Sequence, residues 1–377
     1  MVAALASRPR RVLFVFAWLV VGGEETEVRF LARHLNPARY CIEVVACFRK
    51  PNMPEQTHLQ LAQLGVPVDR TPYGLSPEQT VEYLARKMAE YDLVVACQAV
   101  REVYPALERM PPQRRPPLIE HGGLVSEALA GPKYLTARYV GVCASIRDAA
   151  ASLMPERPND AIEIPSMVDL SEFDPTQRAT VRTEWRVAES TTAVGWVGRL
   201  DRKKRVEDFI RAAALVQKAV RQTRFLVIGG PDAFMPEYAD ELRVLACGLG
   251  LGGSLDFLGN RPDVPRLLSG LDVFVWLSQS EGMPHVISEA GAAGLPVIAT
   301  RDNGTEEQIA DGESGLFVPH CNQGAVAAGI QRLIANPRLR QRLGDNLRRK
   351  VAREYSVAAL IPRWERLFDD VCTEHDA

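Results

Sequence analysis

The sequence predicts an α/β protein made of two doubly wound parallel-sheet domains, and three observations lead to that prediction. Short apolar runs alternate with amphipathic stretches almost from end to end of the chain. The apolar runs are continuous, which is typical of strands buried on both faces of a parallel sheet. The alternation lapses once, in the Pro-, Ser- and Asp-rich segment 164–177, and then starts again. At about 150 residues per domain, the 377 residues accommodate two such domains.

Eleven apolar runs are predicted to be strands. The first domain contributes the runs at 11–19, 41–48, 92–98, 116–121 and 137–145, with helical patterns at 27–35 and 78–91 between them. The second contributes the runs at 192–198, 224–230, 254–259, 271–278, 295–300 and 314–319. The segment 164–177 is predicted to be an interdomain linker, which places the first domain at 1–168 and the second at 169–355. Ligands of such sheets bind at the carboxyl ends of the strands, so we expect a shared ligand site in the cleft between two facing domains.

Composition narrows the class of protein. The 45 basic and 47 acidic residues leave no global charge that would favour nucleic acid or an anionic membrane. Seven cysteines without a C-x-x-C pair indicate neither a zinc site nor a disulfide framework, so a cytoplasmic location is expected. The apolar run near the N-terminus is too short to span a bilayer and is better explained as a buried first strand.

The most informative segment is EGMPHVISEAGAAGLPVIAT, which begins with Glu281 and carries a second carboxylate at Glu289. It is interpreted as a loop followed by a helix between two strands. Eight helical steps would separate the two carboxylates by about 12 Å on nearly the same side of the helix, where they can bind hydroxyls of an extended ligand. The N–H groups at the start of the helix favour phosphate. Solvated acids near a helix N-terminus remain the alternative.

A basic turn, RLDRKKR, opens the second domain. Arg199 follows a predicted strand, and Lys204 lies at the start of a predicted helix. Cations there oppose the helix dipole unless an anion is bound between them, and a pyrophosphate would supply that anion. Arg202, Lys203 and Arg205 are expected to be solvated.

Two features of the first domain are weaker candidates. Gly22 and Gly23 lie between the first strand and the next helix, where they allow a ligand to approach the backbone. The pattern is not G-x-G-x-x-G, so a nicotinamide or flavin site is not indicated. His121 ends a strand before two glycines and is a candidate hydrogen-bond partner or proton carrier, or a turn histidine without a chemical role.

These segments in this order resemble glycosyltransferase family 4, the retaining enzymes of the GT-B fold. The resemblance rests on VGGEE, EHGG, VGRLDRKK, FLGNRPDV, the EGMPH segment and NGTEEQIADGESGLFV, and it is stronger in the second half. It implies an N-terminal acceptor-binding domain, to which a C-terminal helix at about 356–377 returns, and a C-terminal domain that binds a nucleotide sugar.

The resemblance also implies roles for individual residues. Glu289 would hold the ribose hydroxyls, and Glu281 with the backbone of Gly282, Met283 and Pro284 would face the transferred sugar. Arg199 and Lys204 would bind the diphosphate, and the backbone near Asn260 and Arg261 would border the base. Gly22 and Gly23 would contribute to donor binding, with Gly23 against the phosphates, and His121 would lie near the reacting face of the sugar. The catalytic set is then His121, Glu281, Arg199 and Lys204.

The chain departs from the family pattern at Ser166–Met167 in the linker, at His285 and at Asn303–Gly304. It has no Asp-x-Asp motif, and the basic pair is placed for phosphate, so no metal or other cofactor is expected. The predicted reaction is retaining transfer of a hexosyl unit from a UDP- or GDP-sugar to a hydroxyl of a glycan, lipid-linked or small-molecule acceptor. A nucleotide-sugar epimerase and a non-catalytic nucleotide-sugar-binding subunit are the alternatives. No nucleic-acid partner is expected, and peripheral membrane contact is left open.

Overall fold

The computed structural model describes residues 8–51 and 53–376. They form two compact units. Unit 1 comprises residues up to Ser166 together with those from Leu360 onward, and unit 2 comprises Met167–Ala359. Among the described residues, no helix is both long enough and apolar enough to cross a bilayer.

Unit 1 contains a seven-stranded parallel sheet with the order β3-β2-β1-β4-β5-β6-β7. Its strands are β1 Arg10–Trp18, β2 Tyr40–Phe48, β3 Val68–Asp69, β4 Leu93–Cys97, β5 Leu118–Gly122, β6 Thr136–Gly141 and β7 Ala161–Glu163. Its helices within the first segment are α1 Gly23–His34, α2 Gln56–Gln63, α3 Pro77–Met88, α4 Val100–Glu108, α5 Val125–Ala128 and α6 Ala144–Ser152.

The core of unit 1 follows from its sequence pattern. Positions 12–16 of β1 are at most 1% exposed because helices cover both faces of the sheet. Helix α3 begins at a capping box, in which Ser76 and Gln79 each accept from the other's backbone N–H, and Pro77 occupies the first turn. These local signals account for the accurate prediction of this helix.

Two strands of unit 1 were not predicted. β3 and β7 are two and three residues long and form the two edges of the sheet. An edge strand needs few ladder bonds and is exposed on one side, so it carries no long apolar run. The five strands predicted for this half are therefore the interior strands.

Unit 2 contains a six-stranded parallel sheet with the order β10-β9-β8-β11-β12-β13. Its strands are β8 Thr192–Val197, β9 Thr223–Ile228, β10 Leu255–Gly259, β11 Val273–Trp276, β12 Val297–Thr300 and β13 Gly315–Val318. Its helices are α7 Arg178–Glu184, α8 Val206–Ala219, α9 Tyr238–Gly248, α10 Val264–Leu268, α11 His285–Ala292, α12 Asn303–Gln308, α13 Gln323–Ala335 and α14 Pro337–Glu354. The predicted fold class of two doubly wound parallel sheets is confirmed.

The strand order of unit 2 reverses between β8 and β11. At such a switch point the chain leaves the two neighbouring strands in opposite directions and opens a crevice at their carboxyl ends. Close backbone packing shapes this edge: a Cβ on Gly229 would lie 1.7 Å from the carbonyl oxygen of Gly198, and both glycines have positive φ, 147° and 158°. Only glycine fits both turns.

The predicted linker is ordered. Val168 donates from its N–H to the carbonyl of Tyr355 and accepts from Val357, so the two segments pair within unit 2. The last helix, α15 Val357–Asp376, then carries the chain back into unit 1. Its apolar positions Leu360, Ile361, Trp364, Leu367 and Phe368 are at most 9% exposed.

Candidate functional site

The carboxyl edge of the unit 2 sheet collects most of the residues selected from the sequence. Arg199 and Lys204 follow β8, and Glu281 lies in the loop that connects β11 to α11. Because β8 and β11 are neighbours at the switch point, residues far apart in sequence meet there.

Lys204 and Glu281 form an ion pair. The Lys204 Nζ lies 2.5 Å from Glu281 Oε1, and the two side chains are 15% and 16% exposed. The same carboxylate oxygen accepts a hydrogen bond from Ser278 Oγ at 2.6 Å. The ammonium also lies 5.0 Å from the centre of the Trp276 ring, within range of a cation–π contact. The pair is therefore largely desolvated and fixed from three sides.

Arg199 pairs with a carboxylate that the sequence did not indicate. Its Nη1 donates to Asp232 Oδ2 at 2.6 Å, and Asp232 is 3% exposed whereas Arg199 is 39% exposed. Asp232 Oδ1 accepts from the N–H of Phe234, which fixes the carboxylate. The guanidinium group is thus anchored at one nitrogen and partly exposed at the edge of the sheet.

The structure places Lys204 just before α8, two residues ahead of its first residue, Val206. Lys204 ends a separate 3-10 turn, Arg202–Lys204, and Arg205 in the left-handed region, φ 53°, caps the helix. From the sequence, the expected counter-charge of Arg199 and Lys204 is a bound pyrophosphate alone. In the structure the carboxylates of Asp232 and Glu281 also supply negative charge to these two cations.

The loop that begins at Ser278 is clamped by the α12 segment. Thr300 Oγ1 donates to the Ser278 carbonyl at 2.8 Å, and the Glu281 N–H donates to Asp302 Oδ2 at 2.7 Å. Gln308 Nε2 donates to the Pro284 carbonyl at 3.0 Å. Side chains of the segment from the end of β12 to the end of α12 thus fix the conformation of this loop.

Gly304 completes this clamp. Its N–H donates to the Gly282 carbonyl at 2.6 Å, and a Cβ at this position would lie 2.3 Å from that oxygen. The conformation within the loop includes Ser280 at φ 59°, a region that non-glycine residues adopt only under constraint. Gly282, Met283 and Pro284 are buried beside it.

The two glutamates of the segment are not on one helix. Helix α11 begins at His285, so Glu281 precedes it and only Glu289 lies on it. The expected separation of eight helical steps is therefore wrong. Glu289 is half-buried, one turn into the helix.

Asn260 and Arg261 follow β10, two strands away from β8. The Asn260 side chain lies against Gly230, where a Cβ would be 2.6 Å from it. Arg261 donates to Asp263 at 2.8 Å and to Glu184 at 3.2 Å, and its guanidinium holds the pKa of Asp263 at about 2. The Arg261 side chain thus belongs to a surface salt-bridge network. The predicted contact with the nucleotide base would therefore come from the backbone at this position.

In unit 1 the glycine pair lies beside an acidic side chain. Gly22 caps α1 and Gly23 is its first residue. The Val20 N–H donates to Glu25 Oε1 at 3.0 Å, and a Cβ on Gly22 would be 2.6 Å from Glu25 Oε2. An anion that approaches Gly22 therefore meets the Glu25 carboxylate, which the sequence reasoning did not foresee.

His121 is the next-to-last residue of β5 and does not project into open space. Its side chain is 3% exposed, its ring packs edge-on to Trp364 with the centroids 5.5 Å apart, and Nδ1 lies 4.0 Å from Glu24 Oε1. Burial raises the pKa of Glu24 well above its ordinary value, and the carboxylates of Glu127 and Glu25 raise it further. His121 is thus part of a buried acidic cluster of unit 1.

Over residues 8–51 and 53–376, no group of three or more His, Cys, Asp or Glu side chains could hold a metal ion.

Comparison with known proteins adds to this geometry. Residues 177–350 match the family model of glycosyl transferases group 1. The match covers the switch point, the basic turn and the clamped loop of unit 2.

Two curated relatives differ in how much of the chain they match. The lipopolysaccharide core biosynthesis glycosyltransferase LpsE of Rhizobium meliloti is 34% identical over 35% of this chain and 38% of its own length. The D-inositol 3-phosphate glycosyltransferase of Geodermatophilus obscurus is 27% identical over 92% of this chain and 73% of its own. The matched segments span only 38%, 55% and 41% of the length of three curated relatives, of which LpsE is one.

Solved structures agree in fold. The crystal structure of Anabaena Alr3699/HepE in complex with UDP-glucose superposes with a TM-score of 0.84 at 21% identity, covering 96% of this chain and all of that one. The chain therefore has the fold of the GT-B glycosyltransferases.

Proposed function

We propose that the protein is a retaining glycosyltransferase that moves a hexosyl unit from a UDP- or GDP-sugar to an acceptor hydroxyl. Unit 2 binds the donor and unit 1 binds the acceptor in this proposal. The observation that carries it is the pair of cations, Arg199 and Lys204, fixed at the switch point beside a loop and helix that match the group 1 family model.

The leaving group of such a reaction is a nucleoside diphosphate, so the site must stabilise negative charge that develops as the glycosidic bond breaks. The Arg199 guanidinium is held by Asp232 at one nitrogen and has four further N–H donors, a geometry suited to phosphate oxygens. Lys204 has three donors, so its ammonium can bind a phosphate oxygen while it keeps Glu281. Charge neutralisation by these two cations needs no metal in this scheme.

The remaining contacts with the nucleotide sugar are proposed from the positions of the residues in unit 2. Glu289 in α11 would accept hydrogen bonds from the two ribose hydroxyls. The Glu281 carboxylate and the backbone of the clamped loop would face the sugar. Arg261 is held by acids, so the base is expected to lie against the backbone beside Asn260.

The proposed chemistry is a front-face displacement, in which the departing phosphate oxygen takes the proton of the acceptor hydroxyl. Retention is expected because the acceptor attacks from the side on which the diphosphate leaves. The acceptor class is any hydroxyl-bearing glycan, lipid-linked sugar or small polyol, and the names of the two relatives, a lipopolysaccharide core enzyme and a D-inositol 3-phosphate enzyme, are compatible with that range.

A panel of nucleotide sugars tests the proposal. A true donor at 100 times its dissociation constant should stabilise the protein by about 2.7 kcal/mol, which raises the melting temperature. The stabilising donor is then incubated with candidate acceptors, and the anomeric configuration of the product is read by NMR. Absence of stabilisation by every UDP- and GDP-sugar, or an inverted product, would reject the proposal; an altered free sugar formed without acceptor would indicate an epimerase.

A further inference from the structure

Helix α14 carries an unusual concentration of positive charge. Its 18 residues include seven basic and two acidic side chains, whereas the whole chain has a net charge of −2. The positive charge is therefore local to this helix and is invisible in the overall composition.

The helix has two distinct faces. Leu339, Leu343, Leu347 and Val351 are buried because α14 packs closely on α11, where a Cβ on Gly291 would lie 2.7 Å from Val351. The opposite face is exposed along the length of the helix, and Arg338, Arg342, Asp345 and Arg349 line one shallow depression on it. Arg348 is exposed beside this stripe.

The arginines of this face lack acidic partners. In residues 8–51 and 53–376, no ion pair joins Arg338, Arg342, Arg348 or Arg349 to a carboxylate; Arg349 donates to the neutral side chain of Asn346. Exposed arginines elsewhere in the described residues are of both kinds: Arg109 pairs with Glu82 and Arg243 with Asp240, whereas no ion pair joins Arg221 to a carboxylate. The distinguishing feature of α14 is that four such arginines lie on one helix. Four arginines with the single carboxylate of Asp345 among them leave this face with a net positive charge, and the repulsion between the arginines costs free energy that an external anionic surface would offset.

We propose that this arginine face of α14 binds the anionic headgroups of a membrane surface. The helix is about 27 Å long at 1.5 Å per residue, and its inner face is buried in its own unit along its whole length. What it offers is a nearly flat stripe of charge, which complements a planar array of phosphates. A helix that enters the groove of a nucleic acid needs flanks that stand clear of the rest of the protein, and α14 instead lies against its own unit. Attachment is electrostatic because the exposed face bears no large apolar side chain.

Vesicle sedimentation tests this proposal with the 377-residue chain. Vesicles of phosphatidylcholine with phosphatidylglycerol are compared with vesicles of phosphatidylcholine alone, at low and at physiological salt. The test variant carries Arg338→Gln, Arg342→Gln, Arg348→Gln and Arg349→Gln. The control variant carries Arg70→Gln, Arg109→Gln, Arg211→Gln and Arg243→Gln, which removes the same charge from arginines that are 42–50% exposed and ion-paired.

The expected result is binding of wild type and control to the anionic vesicles alone, weakened by salt. Each arginine near an anionic surface contributes about fivefold to partitioning, so the test variant should bind on the order of a hundredfold or more weaker. Circular dichroism melts verify that both variants fold. Equal binding to neutral vesicles, equal loss in both variants, or no vesicle binding at all would overturn the proposal. Tight binding of duplex DNA that depends on the same four arginines, without vesicle binding, would assign the face to nucleic acid instead.

Discussion

Replacing Glu281 with glutamine tests how the site holds Lys204. The variant keeps the shape of the side chain and an oxygen for the Ser278 hydroxyl, but it removes the negative charge 2.5 Å from the ammonium. Lys204 would then be left largely buried, 15% exposed, beside the Trp276 ring without its ionic partner.

The size of the effect follows from this burial. Removing one partner of a fully buried ion pair costs about 3–5 kcal/mol, and an exposed pair contributes about 0–1 kcal/mol. A pair with roughly one sixth of each side chain exposed lies nearer the buried limit, so Glu281→Gln should lower the free energy of unfolding by about 2–3 kcal/mol. The matched control is Glu241→Gln, which breaks the surface pair with Arg202, where the side chains are 50% and 56% exposed. That change should cost less than about 1 kcal/mol.

The assay combines denaturant unfolding with calorimetry. Glu281→Gln should keep or strengthen the affinity for the bare nucleoside diphosphate, because Lys204 loses a competing anion, while affinity for the nucleotide sugar falls. If the variant is as stable as the wild type, the ion pair does not stabilise unit 2. If it loses affinity for UDP and for the UDP-sugar equally, the assignment of Glu281 to the sugar is refuted.

Three further predictions concern separate features. Glu289→Ala should weaken binding of the bare nucleoside diphosphate and of the sugar donor alike, by about 1.5–3 kcal/mol in calorimetry; unchanged affinity for the nucleotide would remove its assignment to the ribose. Gly304→Ala places a Cβ 2.3 Å from a carbonyl oxygen of the clamped loop and should destabilise the protein by about 1–3 kcal/mol, whereas Gly253→Ala, with open space around it, should not; equal melting temperatures would contradict the clamp. Glu24 has a raised pKa from burial and from Glu127, so the folded state keeps a proton that the unfolded chain loses near pH 4.3, and stability should fall as the pH rises above that value. Glu24→Gln should therefore raise the melting temperature at pH 8 but not at pH 4, and a variant that is destabilised at pH 8 would show that the carboxylate is charged and paired in the folded state.

The fold was predictable because its signals are local. A buried parallel strand such as β1 requires a continuous apolar run, and that run is visible in eight or nine consecutive residues. The edge strands β3 and β7 carry no such run, since their exposed side imposes no apolar pattern. They were missed for that reason.

The partners within the site could not be predicted from local patterns. Glu281 is 77 positions from Lys204, and Asp232 is 33 positions from Arg199. They meet only because the sheet brings the ends of separate strands together. The burial of His121 depends in the same way on Trp364, which the last helix returns to unit 1.

The functional assignments of individual residues rest on motif and position, so they stay predictions. In the structure Arg199, Lys204 and Glu281 follow strands at one edge of the sheet, and Glu289 lies one turn into the helix after the last of these strands. The contacts that Asp302, Gly304 and Gln308 make with the clamped loop were not predicted, although Gly304 and Gln308 lie in the segment NGTEEQIADGESGLFV that carries part of the resemblance. A local signal in this segment is the capping box in which Asp302 and Thr305 begin α12.

Calorimetric titration of a nucleoside diphosphate in the presence of EDTA tests the central claim most directly. The wild type should bind UDP or GDP under these conditions, and the double variant Arg199→Gln, Lys204→Gln should bind it at least about 100-fold more weakly, since each charged contact contributes on the order of 1.5–3 kcal/mol. Binding that is absent until magnesium or manganese is added, or that is as tight in the double variant as in the wild type, would contradict the account.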